Sequence, residues 1–489
     1  MKNYHENNAF ERDNLSENDN TTEAENVVCK HDITIGTTLS PEQLSEYVMY
    51  KRRWFGMLAI FMLNLSTGLV WLTFNAVPDL SAEWLHTGKS HVNLTVILYF
   101  IAYIIMSSVS GYVFEKWGIK KALILGGAIN LVGTGMRYCA SFIDSSVDSF
   151  QPRLVVVLLG QFIAASAQPF FLNAPPKFAA VWFSESSRTI ATTIGSVSNP
   201  FAAAVAMIVI PALCEQSSDM PFTLMICAIV AAVALVPAIF MPALPPTPPS
   251  ASAAMSLADA ADEPFWTAMT KISKNLHFWI LFIVFSIYVA FFNAFSSLIN
   301  QIVIPYGYTD DEAGIFGASL IVSGIIGAGI SGAVVDKTKK YHLVIRTCTP
   351  LLGLAYVGFI FVVRKDFIVG IGAVCCVIGL LSFALLPVAL ELGIECTFPV
   401  ASSASTSLLW MGGQTFAVIF LVVGDRLRDE SPNADPPENM KTALICMGVV
   451  SCVTSILCYL YNSPNYRLEA EKRQREEQSS EIHRPSLLQ

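Results

Sequence analysis

The sequence has few charged residues for its length. Its 489 residues include 30 Lys and Arg and 38 Asp and Glu, 14% in all, whereas soluble proteins carry about 25%. The deficit is uneven, because residues 1–53 hold 16 of the charges, 243–275 hold 5 and 462–489 hold 10. Too few charges remain to cover soluble domains, so the composition excludes a secreted enzyme, a nucleic-acid binder and a disulfide-bonded scaffold. Polar ends and a polar middle around two apolar blocks are typical of a polytopic membrane protein.

Residues that carry enzymatic or metal chemistry are also scarce. The seven histidines show no metal-ligand spacing, and the chain has no nucleotide-binding loop. Ten of the 11 cysteines fall in or beside apolar segments, where a thiol acts as a small hydrophobe. We therefore expect neither an enzyme nor a bound cofactor or metal.

Twelve apolar runs are long enough to cross a bilayer, which takes about 20 residues. They lie at about 54–77, 92–114, 122–142, 154–178, 190–213, 222–242, 277–305, 313–335, 343–363, 367–390, 403–424 and 441–461. The predicted organisation is a disordered tail (1–50), a six-helix half (51–242), a linker rich in Pro, Ala and Ser (243–275), a second six-helix half (276–461) and a second tail (462–489). The expected fold class is an all-α membrane protein with twelve transmembrane helices in two pseudo-symmetric halves.

Lysine and arginine are distributed unequally between alternate loops. With both termini in the cytosol, the inner segments hold 22 of these residues and the outer loops hold 7. Because cytosolic loops carry the excess of positive charge, both termini are predicted to be cytosolic. Asn93 and Thr95 then form a glycosylation sequon near the outer end of span 2. We expect the protein to lie in the plasma membrane, with a vacuolar or lysosomal membrane as the alternative. Leu487-Leu488 resembles a signal for sorting to such organelles, but it lacks an acidic residue at the usual distance.

Two short motifs recur in the two halves at nearly the same offset. Gly111-Tyr-Val-Phe-Glu115-Lys116 and Gly332-Ala-Val-Val-Asp336-Lys337 are 221 residues apart, and Phe74-Asn75-Ala76-Val77 and Phe292-Asn293-Ala294-Phe295 are 218 apart. A glycine lets two helices approach closely, and an acid beside a base on a short loop can pair across helix ends. The repeat predicts two halves related by an axis along the membrane normal.

Polar side chains within the spans are candidates for a binding site, because a polar group in a membrane usually faces a cavity or another helix. They are Asn75, Gln161, Gln168, Asn173, Asn293, Asn300, Gln301 and Gln414, and a second, aromatic set is Trp71, Phe291, Phe292 and Trp410. Interhelical hydrogen bonding or packing explains any one of them alone. Shared helix faces single out three sets: Trp71 with Asn75, Asn293 with Ser297 and either Asn300 or Gln301, and Trp410 with Gln414. An aromatic face with amides and no fixed charge suits a cation with a hydroxyl or a flat neutral ring.

The motif Gly-x-x-x-Asp/Glu-Lys/Arg after spans 2 and 8 resembles the signature of the major facilitator superfamily, with Glu115 in place of Asp in the first copy. More closely, the chain resembles the feline leukaemia virus subgroup C receptor-related family of transporters. This resemblance covers about residues 50–461 and rests on Tyr50–Trp54, Asn173–Phe183, Ser296–Gln301 and Glu391–Pro399. It implies an alternating-access carrier in a family that moves choline and ethanolamine, with haem and pyridoxine-like vitamins linked to related members.

The resemblance also implies site residues. The pocket Trp of the family matches Trp71 and its span 11 Gln matches Gln414, while span 7 has Asn293 where a Tyr is expected. The predicted substrate-binding residues are Trp71, Asn75, Gln168, Asn293, Gln301 and Gln414. The loss of an aromatic residue opens the choice to a more polar or planar substrate than choline. The expected partners are a small-molecule substrate and the lipid bilayer, without nucleic acid, and the expected state is a monomer.

The charged motifs predict a gate on the cytosolic side. Pairs at Glu115/Lys116 and Asp336/Lys337 are expected to hold this gate shut in the outward-open state, and Glu391 and Glu395 to pair with basic loops. No Asp or Glu lies centrally in spans 1, 2, 4, 5, 7, 8 or 11, where a proton-driven carrier needs a titrating group. We expect facilitated diffusion. The alternatives are a haem or pyridoxine-like vitamin transporter, with or without proton coupling, and a receptor or sensor that binds without transport.

Overall fold

The computed structural model describes residues 48–143, 152–247, 249, 270–338, 340–397, 402–429, 431 and 434–463. Within these ranges the chain is almost entirely helical, and one bridge between extended residues, Asp429 and Asn439, is present. The predicted tails and most of the predicted linker lie outside the described residues.

Six spans precede the linker. They are Arg52–Leu72 (span 1), Lys89–Phe114 (span 2), residues 119–139 (span 3), Pro152–Trp182 (span 4), Glu185–Leu213 (span 5) and Met220–Phe240 (span 6). Spans 2 and 3 belong to one continuous element, Lys89–Cys139, which is bent at Gly118 with φ of 76°. Glycine adopts this left-handed conformation without strain, so Gly118 lets the chain turn between the two spans.

Six further spans follow the linker. They are Leu276–Val303 (span 7), Asp310–Thr338 (span 8), Tyr341–Val362 (span 9), Ile368–Thr397 (span 10), Ser402–Arg426 (span 11) and Lys441–Leu460 (span 12). Eleven of the described helices are long and apolar enough to cross a membrane, and span 3, which contains Lys120, Lys121 and Arg137, is the twelfth. The expected twelve-helix architecture is confirmed. We call the end of the bundle where span 6 ends and span 7 begins the linker side, and the other end the far side.

Proline breaks span 4 into three helices, Pro152–Ala165, Gln168–Leu172 and Ala174–Trp182. Pro169 and Pro175 lie in the first turn of the second and third helices, where the missing N–H group is not needed. The breaks place Gln168 and Asn173 at helix ends in the membrane interior.

Two sequence blocks that carry the family resemblance pack against each other at the linker side. The rings of Trp54 and Phe183 meet edge to face, with 5.3 Å between centroids. The guanidinium carbon of Arg53 also lies 5.3 Å from the centroid of Phe183. A Cβ on Gly56 would overlap the ring of Phe178, so the two spans are in close contact there as well. Part of the resemblance therefore reflects packing between spans 1 and 4.

Glycines also set the spacing of spans 8 and 10. A Cβ on Gly379 would overlap the carbonyl oxygen of Leu320, and one on Gly327 would overlap that of Leu380. The signature glycines behave differently, because a Cβ on Gly111 or Gly332 would meet nothing within 4 Å. In this conformation Gly111 and Gly332 are therefore not helix-packing contacts.

Candidate substrate-binding site

A large cavity lies between the two halves. Its volume is about 1180 Å³, and side chains of both halves line it. The lining extends from Trp71 in the last turn of span 1 to Gly111, Lys177, Gly332 and Glu391, near the linker-side ends of four spans. Among the described lining residues, Lys177 and Glu391 are the charged ones. The cavity therefore reaches the linker side, and its deeper wall is aromatic and polar without charge.

Trp71 lies at the inner end of this cavity and is held by other aromatic rings. Its ring stacks on Tyr99 with 6.2 Å between centroids and planes 10° apart, and it packs at 65° against Phe100. Tyr99 is itself fixed, because its hydroxyl donates to the carbonyl oxygen of Thr67 at 3.1 Å. Packing rather than hydrogen bonding therefore orients Trp71, whose Nε1 has no hydrogen-bond partner in the described chain.

Two amide side chains face each other across spans 7 and 11. Nδ2 of Asn293 donates to Oε1 of Gln414 at 3.4 Å, and both side chains are buried in the cavity wall. Trp410, one turn before Gln414, also lines the cavity and packs edge to face on Phe285 at 5.8 Å. This wall offers hydrogen-bonding groups beside aromatic surface.

Gln168 contributes a third amide to the same cavity from the break in span 4. Its side chain is buried, and Oε1 has no hydrogen-bond partner among the described residues. The structure thus brings together four of the six predicted binding residues, namely Trp71, Gln168, Asn293 and Gln414. Their combination of aromatic surface and amides matches the chemistry that a flat neutral ring or a hydroxylated cation requires.

Asn75 and Gln301, the other two predicted residues, lie outside the lining described for this cavity and belong to a network on the far side. Nδ2 of Asn75 donates to Oδ1 of Asn93 at 2.9 Å, and Nε2 of Gln301 donates to the same oxygen at 2.6 Å. Nδ2 of Asn93 donates to Oδ1 of Asp425 at 2.9 Å. Arg428 donates to Oε1 of Gln301 and, at 3.1 Å, to Oδ1 of Asp425. We call these five residues the far-side gate, because they join spans 1 and 2 of the first half to the second half.

Further contacts close the far side around this gate. Nδ2 of Asn300 donates to the carbonyl oxygen of Ala76 at 2.5 Å, which links span 7 to the end of span 1. The ammonium of Lys89 lies 2.8 Å from Asp79 and 3.0 Å from Glu438. The conformation is therefore closed on the far side and open on the linker side.

The loop before span 12 holds Glu438 in position for Lys89. The backbone N–H of Glu438 donates to the carbonyl oxygen of Asp429 at 3.0 Å, beside the bridge from Asp429 to Asn439. The side chain and backbone N–H of Ser431 both donate to the carboxylate of Asp429 and lower the pKa of that carboxyl. The loop thus has an internal structure that does not depend on the ion pair.

Three residues of the far-side gate were not predicted from the sequence. Asp425 and Arg428 are three residues apart at the end of span 11, a spacing that allows an ion pair on one helix face. Asn93 drew attention only as part of a glycosylation sequon. It is 1% exposed and bonded to Asp425, which leaves no room for a glycan in this conformation.

Gln161 links span 4 to two other spans of the first half. Its Nε2 donates to the carbonyl oxygens of Val70 at 3.3 Å and Thr95 at 3.2 Å, so it ties span 4 to spans 1 and 2. It is fully buried and is not among the residues that line the cavity.

The predicted linker-side latch falls partly outside the described chain. The side chains of Glu115 and Asp336 are not described, whereas those of Lys116 and Lys337 are exposed. Glu391 lines the cavity near its mouth, and Glu395 is buried at the end of span 10. The latch pairs therefore stay a prediction.

Comparison with known proteins agrees with this architecture. Residues 56–422 match the family model of the Major Facilitator Superfamily. Solute carrier family 49 member A3 of Danio rerio is 32% identical over 438 residues, which are 88% of this chain and 91% of the relative. Choline/ethanolamine transporter FLVCR2 of Homo sapiens is 26% identical over 404 residues, or 80% and 74% of the two chains.

A solved structure has the same fold at low sequence identity. The nucleoside transporter NupG superposes with a TM-score of 0.63 at 12% identity, covering 84% of this chain and all of the other. The match over most of the chain and the close relatives lead to one conclusion: the chain belongs to the Major Facilitator Superfamily and, within it, to the family that includes Solute carrier family 49 member A3.

Proposed function

We propose that this protein carries a small organic amine across the membrane by alternating access and facilitated diffusion, with choline and ethanolamine as the first candidate substrates. The observation that carries this proposal is the meeting of Trp71, Gln168, Asn293 and Gln414 in the wall of one cavity. Relatives at 26–27% identity are named choline/ethanolamine transporters.

The chemistry of the wall fits such a substrate. An ammonium group gains about 0.5–2 kcal/mol on an aromatic face. A hydroxyl of the same molecule exchanges hydrogen bonds with amides such as Gln168 and Gln414. No fixed charge of the described lining lies at this depth, so the cation is held by aromatic surface and dipoles rather than by an ion pair.

A neutral planar vitamin ring, such as a pyridoxine-like compound, is the second candidate. The hydrogen-bonded pair of Asn293 and Gln414 favours it, because two amides on one wall can bind donor and acceptor groups on the edge of a ring. Phe292 and Trp410 beside this pair offer flat apolar surface.

Alternating access would exchange the conformation seen here for its opposite. In our proposal the linker side faces the cytosol of a cell with this carrier in its plasma membrane, so the present conformation is inward-open. Opening outward requires that the far-side gate separate while the linker-side ends of spans 2, 4, 8 and 10 close over the cavity. Lys177 and Glu391, the charged residues of the described lining, lie near its mouth, which supports transport without a central proton relay.

Uptake into vesicles tests the proposal directly. Purified protein is reconstituted, and entry of radiolabelled choline, ethanolamine and pyridoxine is measured with and without a pH gradient. We expect saturable entry of at least one compound that stops at equal concentrations on the two sides. Accumulation above equilibrium driven by protons would refute facilitated diffusion.

Variants of the wall test the site. Trp71→Ala and Gln414→Ala should each lower uptake at least tenfold, whereas Trp117→Ala, at a tryptophan 53% exposed and not in the described cavity lining, should leave it unchanged. Gln161→Ala controls for loss of a buried amide outside that lining. Unchanged uptake in both wall variants would show that the substrate binds elsewhere.

A further inference from the structure

Arg137 is a buried cation that the transport site does not use. It lies in the last turn of the helix that forms span 3 and is 1% exposed. None of its three guanidinium nitrogens has a hydrogen-bond partner in the described chain. Its guanidinium rests on an aromatic ring, with the guanidinium carbon 4.8 Å from the centroid of Phe74.

Such a group is costly in a membrane protein. A guanidinium taken out of water loses its hydration, and it normally regains the loss from a carboxylate or from several carbonyl groups. The ring of Phe74 and the carbonyl end of span 3 offset part of that cost, but neither accepts the five N–H groups. Arg137 therefore has unused donors in a low-dielectric interior.

A second arginine in the same region does have hydrogen-bond acceptors. Arg153, at the far-side start of span 4, donates to the carbonyl oxygens of Trp84 at 2.7 Å and Ile143 at 2.9 Å, and its guanidinium carbon lies 5.1 Å from the ring of Trp84. Both arginines rest on an aromatic ring, so the missing acceptors distinguish Arg137.

Among the described residues, none accepts a hydrogen bond from Arg137, and polar groups close to it in the chain are hydroxyls. Ser141 follows one helical turn later, and its buried Oγ also has no partner. The thiol of Cys227 lies 3.9 Å from Oγ1 of Thr73, the residue before Phe74, and the Thr73 hydroxyl already donates to the carbonyl oxygen of Leu69 at 2.6 Å. The set calls for an acceptor that carries negative charge.

The neighbouring helix is shaped to admit the arginine. Gly160 of span 4 lies against its stem, since a Cβ there would be 3.0 Å from Cγ of Arg137. At Gly133, one turn earlier, a Cβ would overlap the backbone of Ala164, so spans 3 and 4 are in close contact. Arg137 is therefore accommodated by the sequence of a second helix.

We propose that Arg137 and Ser141 form a binding site for a small monovalent inorganic anion of halide size, within the first half near the far side. The anion accepts hydrogen bonds from the guanidinium and the hydroxyl and neutralises the buried charge. A small anion fits best, because the site is enclosed by packed helices and Arg137 is almost fully buried. The site is separate from the transport cavity, whose described lining includes neither residue.

Thermal unfolding of the purified full-length protein tests the proposal with chloride and bromide as probes. Sodium chloride or bromide, exchanged for sodium gluconate at constant ionic strength, should raise Tm by about 2 °C or more and reach saturation. Sodium sulfate at the same ionic strength should give no such rise. Crystals grown in bromide should show an anomalous peak beside the guanidinium of Arg137.

Variants separate binding at this site from a general salt effect. In Arg137→Met the halide-dependent rise should vanish, whereas in Arg153→Gln it should persist. If Arg137→Met does not fold, Ser141→Ala should raise the chloride concentration for half-maximal stabilisation at least threefold. Equal Tm in chloride and gluconate, or a halide shift that survives both Arg137→Met and Ser141→Ala, would overturn the proposal.

Discussion

Asn93 holds more of the far-side gate together than any other side chain described there. Its Oδ1 accepts from Asn75 and Gln301, and its Nδ2 donates to Gln301 and Asp425. Substitution Asn93→Ala removes all of these bonds, and three of them cross from the first half to the second. We predict that this variant shifts the protein toward the conformation that is open on the far side.

The size of the shift follows from the number of bonds lost. An interhelical hydrogen bond in a membrane protein contributes about 0.6 kcal/mol on average, so three such bonds amount to about 2 kcal/mol. That free energy corresponds to a change of roughly 30-fold in the ratio of the two conformations. Asp425 remains paired with Arg428, so the variant does not create an isolated buried charge.

Hydrogen–deuterium exchange measures this shift without added labels. In Asn93→Ala, far-side peptides around residues 74–95 and 297–313 should exchange faster than in the unmodified protein. Linker-side peptides around residues 107–114 and 328–338 should exchange more slowly, because the mouth of the cavity closes as the far side opens.

Asn130→Ala is the matched control. Nδ2 of Asn130 donates to Oγ of Ser66 at 2.7 Å within the first half, so its loss weakens packing without touching the contact between the halves. It should give no opposed change at the two sides. If Asn93→Ala also left both sets of peptides unchanged, the far-side network would not be the gate.

Three further substitutions probe the same cycle. Gly332→Leu should leave Tm nearly unchanged, because a Cβ there meets nothing within 4 Å, but it should cut uptake at least tenfold by obstructing closure of the cavity mouth. Gly358→Leu is the control, because its position is equally open and is not in the described lining. Equal uptake in the two variants would contradict a role of Gly332 in closure. Gly379→Ala should lower Tm by several degrees, because its Cβ would overlap the carbonyl oxygen of Leu320. Gly329→Ala, where a Cβ meets nothing within 4 Å, should leave Tm unchanged. An unchanged Tm in Gly379→Ala would mean that spans 8 and 10 can separate easily. Lys89→Met removes two ion pairs with partly exposed acids, worth at most about 1 kcal/mol each. Its change in hydrogen–deuterium exchange should therefore be smaller than that of Asn93→Ala. A larger change would mean that the ion pairs contribute more to closure of the far side than the hydrogen bonds of Asn93 do.

The number and positions of the spans could be predicted, because they depend on the length of the apolar runs and on the polar segments between them. The predicted spans agree closely with the helices, and span 3, predicted at about 122–142, forms the last part of the helix Lys89–Cys139. The breaks in span 4 were harder to foresee. Pro169 and Pro175 mark their places, but a sequence does not tell whether proline kinks a membrane helix or divides it.

The candidate site could be predicted only in part, because depth along a helix is not visible in a list of polar residues. Trp71 and Gln414 lie in the cavity wall, and their role in substrate binding stays a prediction. Asn93, Asp425 and Arg428 were missed, since they stand at the ends of spans where a polar residue costs little and attracts no notice. These residues matter because they meet between the two halves. Asn93 and Asp425, which form a hydrogen bond, are more than 300 residues apart in the chain.

The positions of Asn75 and Gln301 connect the site with the gate. Asn75 lies one turn beyond Trp71, and Gln301 lies two turns beyond Asn293. Span 7 therefore carries a residue of the cavity wall and, two turns farther along the same helix, a residue of the far-side gate, whereas Asn75 lies in the turn that follows span 1. In our proposal, a substrate that draws Asn293 toward itself also displaces Gln301, because both residues belong to the one helix Leu276–Val303. Under this proposal, binding and gating are coupled within span 7, and a relay through other parts of the protein is not required.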